Sequence, residues 1–179
     1  MAHIASYPFT MRLHLDLLQT QYAVFRRSDF LEAFQNFLML SLASYLPTDK
    51  FIYDLNMNVD LRGSFTEILR TPDRGQFSVN VSNPGITKGN HWHHSKNEKF
   101  VVVKGTGLIR LRRIGKDENG NDYPTIEYGV SGECIQVVEM IPGYTHSIVN
   151  LSDTEELITF MWANECFDPV KPDTFFNEV

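Results

Sequence analysis

The sequence has few of the features that define disulfide-rich, secreted or membrane proteins. Its 179 residues include only two cysteines, Cys134 and Cys166, and a single possible pair makes no disulfide framework. We therefore predict free, buried thiols in a reducing cytoplasm. No apolar run reaches about 18 residues, so we expect no membrane-spanning helix. Residues 1–10 lack the basic start and long apolar core of a secretory signal, so we expect none.

Positive charge is also scarce. Lys and Arg number 16 against 22 for Asp and Glu, which gives a net charge of -6 and a pI near 5.5. The basic cluster of Arg110, Arg112 and Arg113 is short, whereas binding to a phosphate backbone needs many clustered cations. We therefore expect no nucleic-acid partner, although a small anion bound locally is compatible with this composition. The length and the 42% hydrophobic content fit one ordinary globular domain with an extra segment.

The hydrophobic periodicity changes near residue 48. Before that point, apolar residues recur every three to four positions, Asp29 offers an N-terminal cap and Pro47 ends the pattern, which predicts one helix over residues 30–46. After residue 50, short β-rich runs alternate with turn residues, which predicts six or more strands in a sandwich or barrel. The runs are Phe77–Val81, Phe100–Val103, Leu108–Leu111, Ile126–Tyr128, Ile135–Met140 and Leu157–Trp162.

Three of the six histidines fall within four residues of one another, in the stretch GITKGNHWHHSKNEKFVVVKG that spans residues 85–105. On a strand, alternate side chains share a face, so His91 and His93 project together. A turn after His93 can return Glu98 to the same face, and His146, which follows a Pro-Gly turn, can reach it from a neighbouring strand. Imidazole and carboxylate ligands at these four positions predict a divalent metal site, with Zn²⁺ first and Fe²⁺, Mn²⁺ or Ni²⁺ chemically acceptable.

Trp92 and His94 lie on the opposite face of the same predicted strand. We interpret Trp92 as a core residue and His94 as a packing residue or a support for a metal ligand.

These two histidine stretches resemble the two signature motifs of the cupin superfamily, over about residue 55 to the end of the sequence. The first motif matches at every spaced position: Gly85, His91, His93, Glu98 and Gly105. The second departs from the usual pattern, because Pro142 immediately precedes Gly143 instead of standing two residues before it. The resemblance implies an all-β fold, the double-stranded β-helix or jelly-roll barrel of cupins, preceded here by a helical segment.

Two further stretches narrow the resemblance. Asp60-Leu-Arg62-Gly63-Ser-Phe65-Thr-Glu67 resembles a signature of the nucleotide-sugar 3,5-epimerases that act on dTDP-4-keto-6-deoxyhexoses. Residues 48–179 as a whole resemble the C-terminal cupin domain of CapF-type capsular polysaccharide enzymes. That resemblance implies a zinc-bearing, homodimeric, cytoplasmic epimerase that acts at C3 of a UDP-2-acetamido-2,6-dideoxy-4-hexulose. In that family a short-chain dehydrogenase domain then reduces the 4-keto group with NADPH.

The nucleotide-binding part of such an enzyme has no counterpart in this sequence. No glycine-rich dinucleotide fingerprint follows a strand in the first 50 residues, so we expect no NAD(P) on this chain. Residues 1–47 are interpreted as a helical extension or the remnant of a linker to a missing dehydrogenase domain. Residues 48–179 are interpreted as the cupin domain, with a separate dehydrogenase as a possible partner.

Epimerisation next to a ketone requires removal and return of an α-proton. His91 matches both the catalytic base of the metal-free epimerases and a cupin metal ligand. If His91 binds metal, the candidate bases are Lys88, Tyr144 or a water molecule on the metal. We predict substrate contacts from Arg62, Glu67 and Asn80, with the arginine suited to a diphosphate; an exposed ion pair is the competing interpretation of Arg62 and Glu67.

Two other functional classes stay open at this point. One is a noncatalytic sugar-binding cupin that dimerises with or regulates a short-chain dehydrogenase. The other is a cupin oxygenase or phosphosugar isomerase, against which the Arg62-Gly63 segment argues.

Overall fold

The structure is a computed structural model that describes Phe34, Phe37, Leu38, Ser41, residues 45–71 and residues 73–179. The chain divides into two compact units, Met1–Tyr53 and Asp54–Val179. In the first unit, the four separate residues are helical and a short 3-10 helix covers Thr48–Lys50. Of the predicted helix, these four residues are helical, Tyr45 and Leu46 are not, and the other residues lie outside the described part. Within the described part, no helix has the length and apolar character to cross a membrane.

The second unit consists of strands. Within residues 54–71 and 73–179, eleven strands form two antiparallel sheets. Their bounds are β1 Met57–Asp60, β2 Gly63–Thr71, β3 Gly75–Ser82, β4 Thr87–Trp92, β5 Glu98–Lys104, β6 Thr106–Arg113, β7 Ile126–Ser131, β8 Val137–Met140, β9 Tyr144–Asn150, β10 Leu157–Ala163 and β11 Phe175–Phe176. One sheet has the order β1-β2-β3-β10-β5-β8 and the other the order β11-β4-β9-β6-β7. The predicted all-β cupin barrel is confirmed.

The six strands predicted from β-rich runs are all present, and β4 and β9 are the two strands expected from the histidine stretches. The other three strands were not predicted. Strand β1 is only four residues long and all four are exposed, so no buried face marks it. Strand β2 contains a register shift between Glu67 and Leu69, which breaks its alternation, and β11 is only two residues long. The predicted run from Ile135 was too long, because β8 begins at Val137.

The core lies between the two sheets and is built mainly by alternate residues of β5 and β6. Phe100 and Val102 of β5 meet Ile109 and Leu111 of β6, and Met140 is fully buried beside them. Burying side chains of this kind stabilises a fold by about 1.5–3 kcal/mol each. This core holds together the two sheets that carry the histidine strands and the strand of Glu98.

Both cysteines are free, as predicted. Cys134 is exposed, so the prediction that both thiols are buried was wrong for this residue, while Cys166 is half-buried.

Candidate metal centre

A local irregularity in the backbone of β4 determines how His91 pairs with the adjacent strand, β9. Gly89 has φ +100° and Asn90 φ +58°, and the register with β9 shifts between Gly89 and His91. A Cβ on Gly89 would lie 2.7 Å from the main-chain oxygen of His146, so the close approach of the two strands requires glycine. The shift places His91 directly opposite His146 in the sheet.

The four predicted metal ligands come together between the sheets. One ligand atom from each of His91, His93, Glu98 and His146 lies within 4.8 Å of the others. Oε2 of Glu98 is 3.4 Å from Nε2 of His93 and 3.3 Å from Nε2 of His146. The ring centroid of His91 is 4.9 Å from that of His93 and 4.6 Å from that of His146. The turn after His93 therefore returns Glu98 to the cluster, as the sequence predicted.

The cluster contains buried polar atoms that the protein itself does not satisfy. His93 is 3% exposed and His146 1% exposed. Within the described residues, Nε2 of His93, Nε2 of His146 and Oε2 of Glu98 have no hydrogen-bond partner. Each such atom costs about 1–3 kcal/mol when left unpaired. A divalent cation would satisfy all three, and imidazole nitrogens with a carboxylate oxygen are donors that suit Zn²⁺, Fe²⁺, Mn²⁺ and Ni²⁺ alike.

The protonation states favour ligation at two of these positions. Burial lowers the pKa of His91 to about 4, and the neighbouring His146 acts in the same direction, so His91 is a neutral imidazole at pH 7. Burial would raise the pKa of Glu98, but the approach of His146 and His93 outweighs it and holds that pKa well below its usual range. For His93, burial is outweighed by Glu98 and by the carbonyl of Asp173, which raise its pKa. Metal ligation requires neutral imidazole and ionised carboxylate, so a proton competes with metal at His93.

The segment after β10 supports the cluster from outside. Oδ1 of Asp173 accepts a hydrogen bond from the main-chain N–H of His94 (2.9 Å), and Oδ2 accepts from those of Ser95 (2.9 Å) and Lys96 (3.1 Å). Burial works against the charged carboxylate, but these N–H groups outweigh it and keep the pKa of Asp173 below its usual range. Nδ1 of His93 contacts the main-chain carbonyl of the same aspartate. Nothing in the sequence indicated this role for Asp173.

Trp92 and His94 lie away from the cluster, as predicted. Trp92 is half-buried and stacks on Phe175 of β11, with ring centroids 4.9 Å apart. His94 is exposed and meets the edge of both rings. The packing interpretation therefore fits His94, whereas Trp92 is buried less than a core residue.

A cavity of about 1110 Å³ extends from the cluster, which is ample for a small-molecule ligand. His91, His93 and Glu98 form part of its wall. Its polar and charged lining also includes Asn58, Asp60, Arg62, Glu67, Arg70, Gln76, Ser78, Asn80, Lys88 and Lys96.

The predicted substrate residues line this cavity but already have partners. Arg62 binds Asp60 through Nη2 (2.6 Å) and Nε (3.1 Å). Both carboxylate oxygens of Glu67 accept hydrogen bonds from Arg70, at 2.9–3.1 Å. Asn80 is 4% exposed. The contacts of Arg62 and Glu67 therefore agree with the competing interpretation, in which these side chains belong to ion pairs and do not wait for a substrate.

Lys88 also lines the cavity, but its ammonium group is fully engaged. Nζ donates to Oδ1 of Asn80 (2.8 Å) and to the carbonyls of Val81 (2.7 Å) and Ser64 (3.4 Å). Burial lowers the pKa of Lys88. Three acceptors match the three N–H groups of an ammonium, whereas a neutral amine, the form that acts as a base, would leave one acceptor unpaired. Lys88 joins β4 in one sheet to β2 and β3 in the other.

Tyr144 is not brought to this cavity. It lines a separate cavity of about 650 Å³, together with Leu111 and Val130. Lys96, which sequence reasoning missed, does line the larger cavity, and its position between His93 and Glu98 was the available signal.

This two-sheet barrel, with histidines and a glutamate clustered between its sheets, defines a cupin whose central cluster could hold a metal ion. Residues 58–175 match the family described as the polysaccharide biosynthesis C-terminal domain, and the chain belongs to that family.

The chain is similar to parts of longer proteins. It is 46% identical over 132 residues to the UDP-2-acetamido-2,6-beta-L-arabino-hexul-4-ose reductase of Pseudomonas aeruginosa. The matched residues make up 74% of this chain and 34% of the reductase. A crystal structure of the capsular polysaccharide assembling protein CapF from Staphylococcus aureus is 61% identical, with a TM-score of 0.69 over 76% of this chain and 35% of that one. A second CapF structure from the same organism is 51% identical, with a TM-score of 0.74 over 95% and 48% of the two chains. The chain thus spans a third to a half of the length of these relatives.

Proposed function

We propose that this chain is a metal-dependent nucleotide-sugar epimerase of capsular or surface polysaccharide synthesis. Its substrate is a UDP-2-acetamido-2,6-dideoxy-4-hexulose, and the reaction inverts C3 by removing and returning the proton next to the 4-keto group. The observation that carries the proposal is the set of buried, unpartnered atoms on His93, Glu98 and His146 at the wall of a large polar cavity. The sugar class is supported by a 46% identical relative that is a reductase of a UDP-2-acetamido-hexulose.

The chemistry follows from the acidity of a proton next to a ketone. Its removal places negative charge on the ketone oxygen, and a bound divalent metal would supply the Lewis acidity that stabilises this charge. His91, His93, Glu98 and His146 would hold the metal, with Zn²⁺ as the first choice. The protein contributes a preformed set of donors in which His91 is already neutral and Glu98 already ionised.

The other charged residues of the cavity wall are better suited to binding the substrate than to transferring a proton. The contacts of Lys88 fit an ammonium ion that braces the two sheets, and Tyr144 lines another cavity. Arg62 and Asp60 form an ion pair at the cavity wall. The edge of the guanidinium group that Asp60 does not occupy could bind the diphosphate of the nucleotide.

The reduction of the 4-keto group is assigned to a dehydrogenase outside this cupin, whether on the same chain or on a separate partner. We propose that residues 48–179 act as the catalytic cupin in the cytoplasm, as a homodimer. NAD(P) has no part in the step proposed for them.

Hydrogen exchange in deuterated water tests this function. The purified chain is incubated with a UDP-2-acetamido-4-keto-6-deoxy sugar, with added Zn²⁺ or with a chelator, and deuterium at C3 is followed by NMR. We expect incorporation with metal, loss with chelator, and recovery when metal is restored. Absence of exchange from metal-loaded protein would refute the epimerase. Tight sugar-nucleotide binding without exchange would instead support the noncatalytic, regulatory cupin.

A further inference from the structure

Lys96 is a buried cation beside the metal cluster. It lies in the loop between His93 and Glu98, lines the large cavity and is only 6% exposed. Its Nζ lies 5.7 Å from the ring centroid of Phe167. Within residues 45–71 and 73–179, no carboxylate forms an ion pair with this ammonium group and no oxygen accepts a hydrogen bond from it. The contact of its Nζ is therefore with an aromatic face and not with an oxygen.

The other lysine and arginine side chains of the cavity wall are compensated. Arg62 is paired with Asp60, and Arg70 with Glu67. The ammonium of Lys88 has three oxygen acceptors. Among the described lysine and arginine side chains of the cavity, Lys96 is thus the one without a carboxylate or oxygen partner.

The surroundings of Lys96 indicate the kind of ligand. An ammonium group that faces a cavity without a counter-charge gains a favourable interaction when an anion occupies that space. A divalent ion in the cluster would carry two positive charges, and the carboxylate of Glu98 would neutralise one of them. One positive charge would therefore remain at this end of the cavity. His93 and Glu98, two of the proposed metal ligands, flank the loop that carries Lys96, so Lys96 lies at the end of the cavity where the proposed function places the reacting ketone.

We infer that Lys96 is a further catalytic residue, which binds the oxyanion formed on the substrate during proton removal. This inference rests on the proposed function. When the C3–H bond breaks, its electron pair forms a C3–C4 double bond and the carbonyl π pair moves to the C4 oxygen. The proton passes to a base that exchanges with solvent. A solvent-derived proton is then added to the opposite face of C3 as the oxygen electron pair re-forms the carbonyl, so no oxidant or reductant is needed. Lys96 donates a hydrogen bond to the C4 oxygen while it is charged.

Lys96→Met removes the charge with little change in side-chain length, and Lys96→Arg keeps it. Lys104→Met, at an exposed lysine outside the cavity, is the matched control. In the deuterium-exchange assay we expect Lys96→Met to lower kcat about 10²–10³-fold, the usual effect of losing one oxyanion donor, with KM little changed. Partial recovery in Lys96→Arg and normal kcat in Lys104→Met would support the assignment. Unchanged kcat in Lys96→Met, or a rise in KM alone, would overturn it.

Two binding measurements separate this role from a structural one. Zinc affinity should be unchanged or higher in Lys96→Met, because a neighbouring cation is removed, whereas a damaged loop would bind zinc more weakly and overturn the inference. Oxalate, a planar dianion, should bind zinc-loaded wild type at least about tenfold more tightly than zinc-loaded Lys96→Met, and equal affinities would also overturn it. If wild type binds oxalate with this preference but never exchanges deuterium, the epimerase proposal fails while the oxyanion site stands.

Discussion

The imidazole of His93 is bound through Nδ1 to the main-chain carbonyl of Asp173, 80 residues further along the chain. Because a carbonyl can only accept, Nδ1 must carry the hydrogen, which leaves the lone pair of Nε2 directed towards Glu98. The carboxylate of Asp173 meanwhile holds the N–H groups of His94, Ser95 and Lys96. One residue of a distant segment therefore sets both the tautomer of a ligand and the shape of the ligand loop.

Replacement of Asp173 by alanine should weaken metal binding by about 10–100-fold, the range found when the support of a metal ligand is lost. The loop of residues 94–96 would lose its acceptor and the carbonyl would lose its position against His93. A zinc competition titration measures the effect. Asp168→Ala is the matched control, because Asp168 lies in the same segment and caps only Val170. Equal zinc affinities for the two variants would contradict the supporting role of Asp173.

Replacement of His91 by asparagine should reduce zinc affinity by at least about 100-fold, more than the loss of a supporting residue, because His91 is proposed as a ligand itself. Deuterium exchange should fall in parallel with the bound metal. His94→Asn serves as control, since His94 is exposed and packs on Trp92 and Phe175 outside the cluster. A His91→Asn protein that keeps its full metal content yet loses exchange would make His91 the base and not a ligand.

Replacement of Lys88 by methionine should lower the free energy of unfolding by about 1–3 kcal/mol, because acceptors on Ser64, Asn80 and Val81 lose their donor. Urea unfolding measures this loss, with Lys104→Met as the exposed control. The folded variant should bind zinc like the wild type. If stability is unchanged and exchange is abolished, Lys88 is the catalytic base that the sequence suggested and its bracing role is refuted.

Replacement of Gly63 by alanine should destabilise the protein by more than about 1 kcal/mol. Gly63 has φ +124°, and an added Cβ would lie 2.0 Å from the main-chain oxygen of Val81. This close approach explains the glycine in the Asp60-Leu-Arg62-Gly63 stretch. At Gly129 an added Cβ meets nothing within 4 Å, so Gly129→Ala should leave the unfolding midpoint almost unchanged. A similar midpoint shift for the two variants would contradict the steric explanation.

The four clustered side chains were predictable because their arrangement is mostly local. His91 lies in β4 and His93 directly follows that strand, so alternation predicts that they share a side, and a short turn returns Glu98 to them. The prediction for His146 needed one assumption, that its strand lies beside the strand of His91. The pairing of β4 with β9 confirms this assumption.

The environment of the other predicted residues was not predictable in this way. Lys88 and Tyr144 were both candidate bases, yet one braces two sheets and the other lines a different cavity. Arg62 and Glu67 were predicted to contact substrate and are held in ion pairs. Such partners depend on which strands become neighbours and on where a strand shifts register.

The sequence by itself determined the succession of short β-rich segments, the family resemblance and the four candidate metal ligands. These features depend on residue type and on spacings of a few positions. Tertiary structure alone decided that Asp173 orients His93, that Lys96 is buried without a counter-charge, and that the donor atoms of Glu98, His93 and His146 are left without partners. The physical reason is that burial and pairing arise only when the folded chain brings together residues far apart in sequence, such as His93 and Asp173, which are separated by 80 residues.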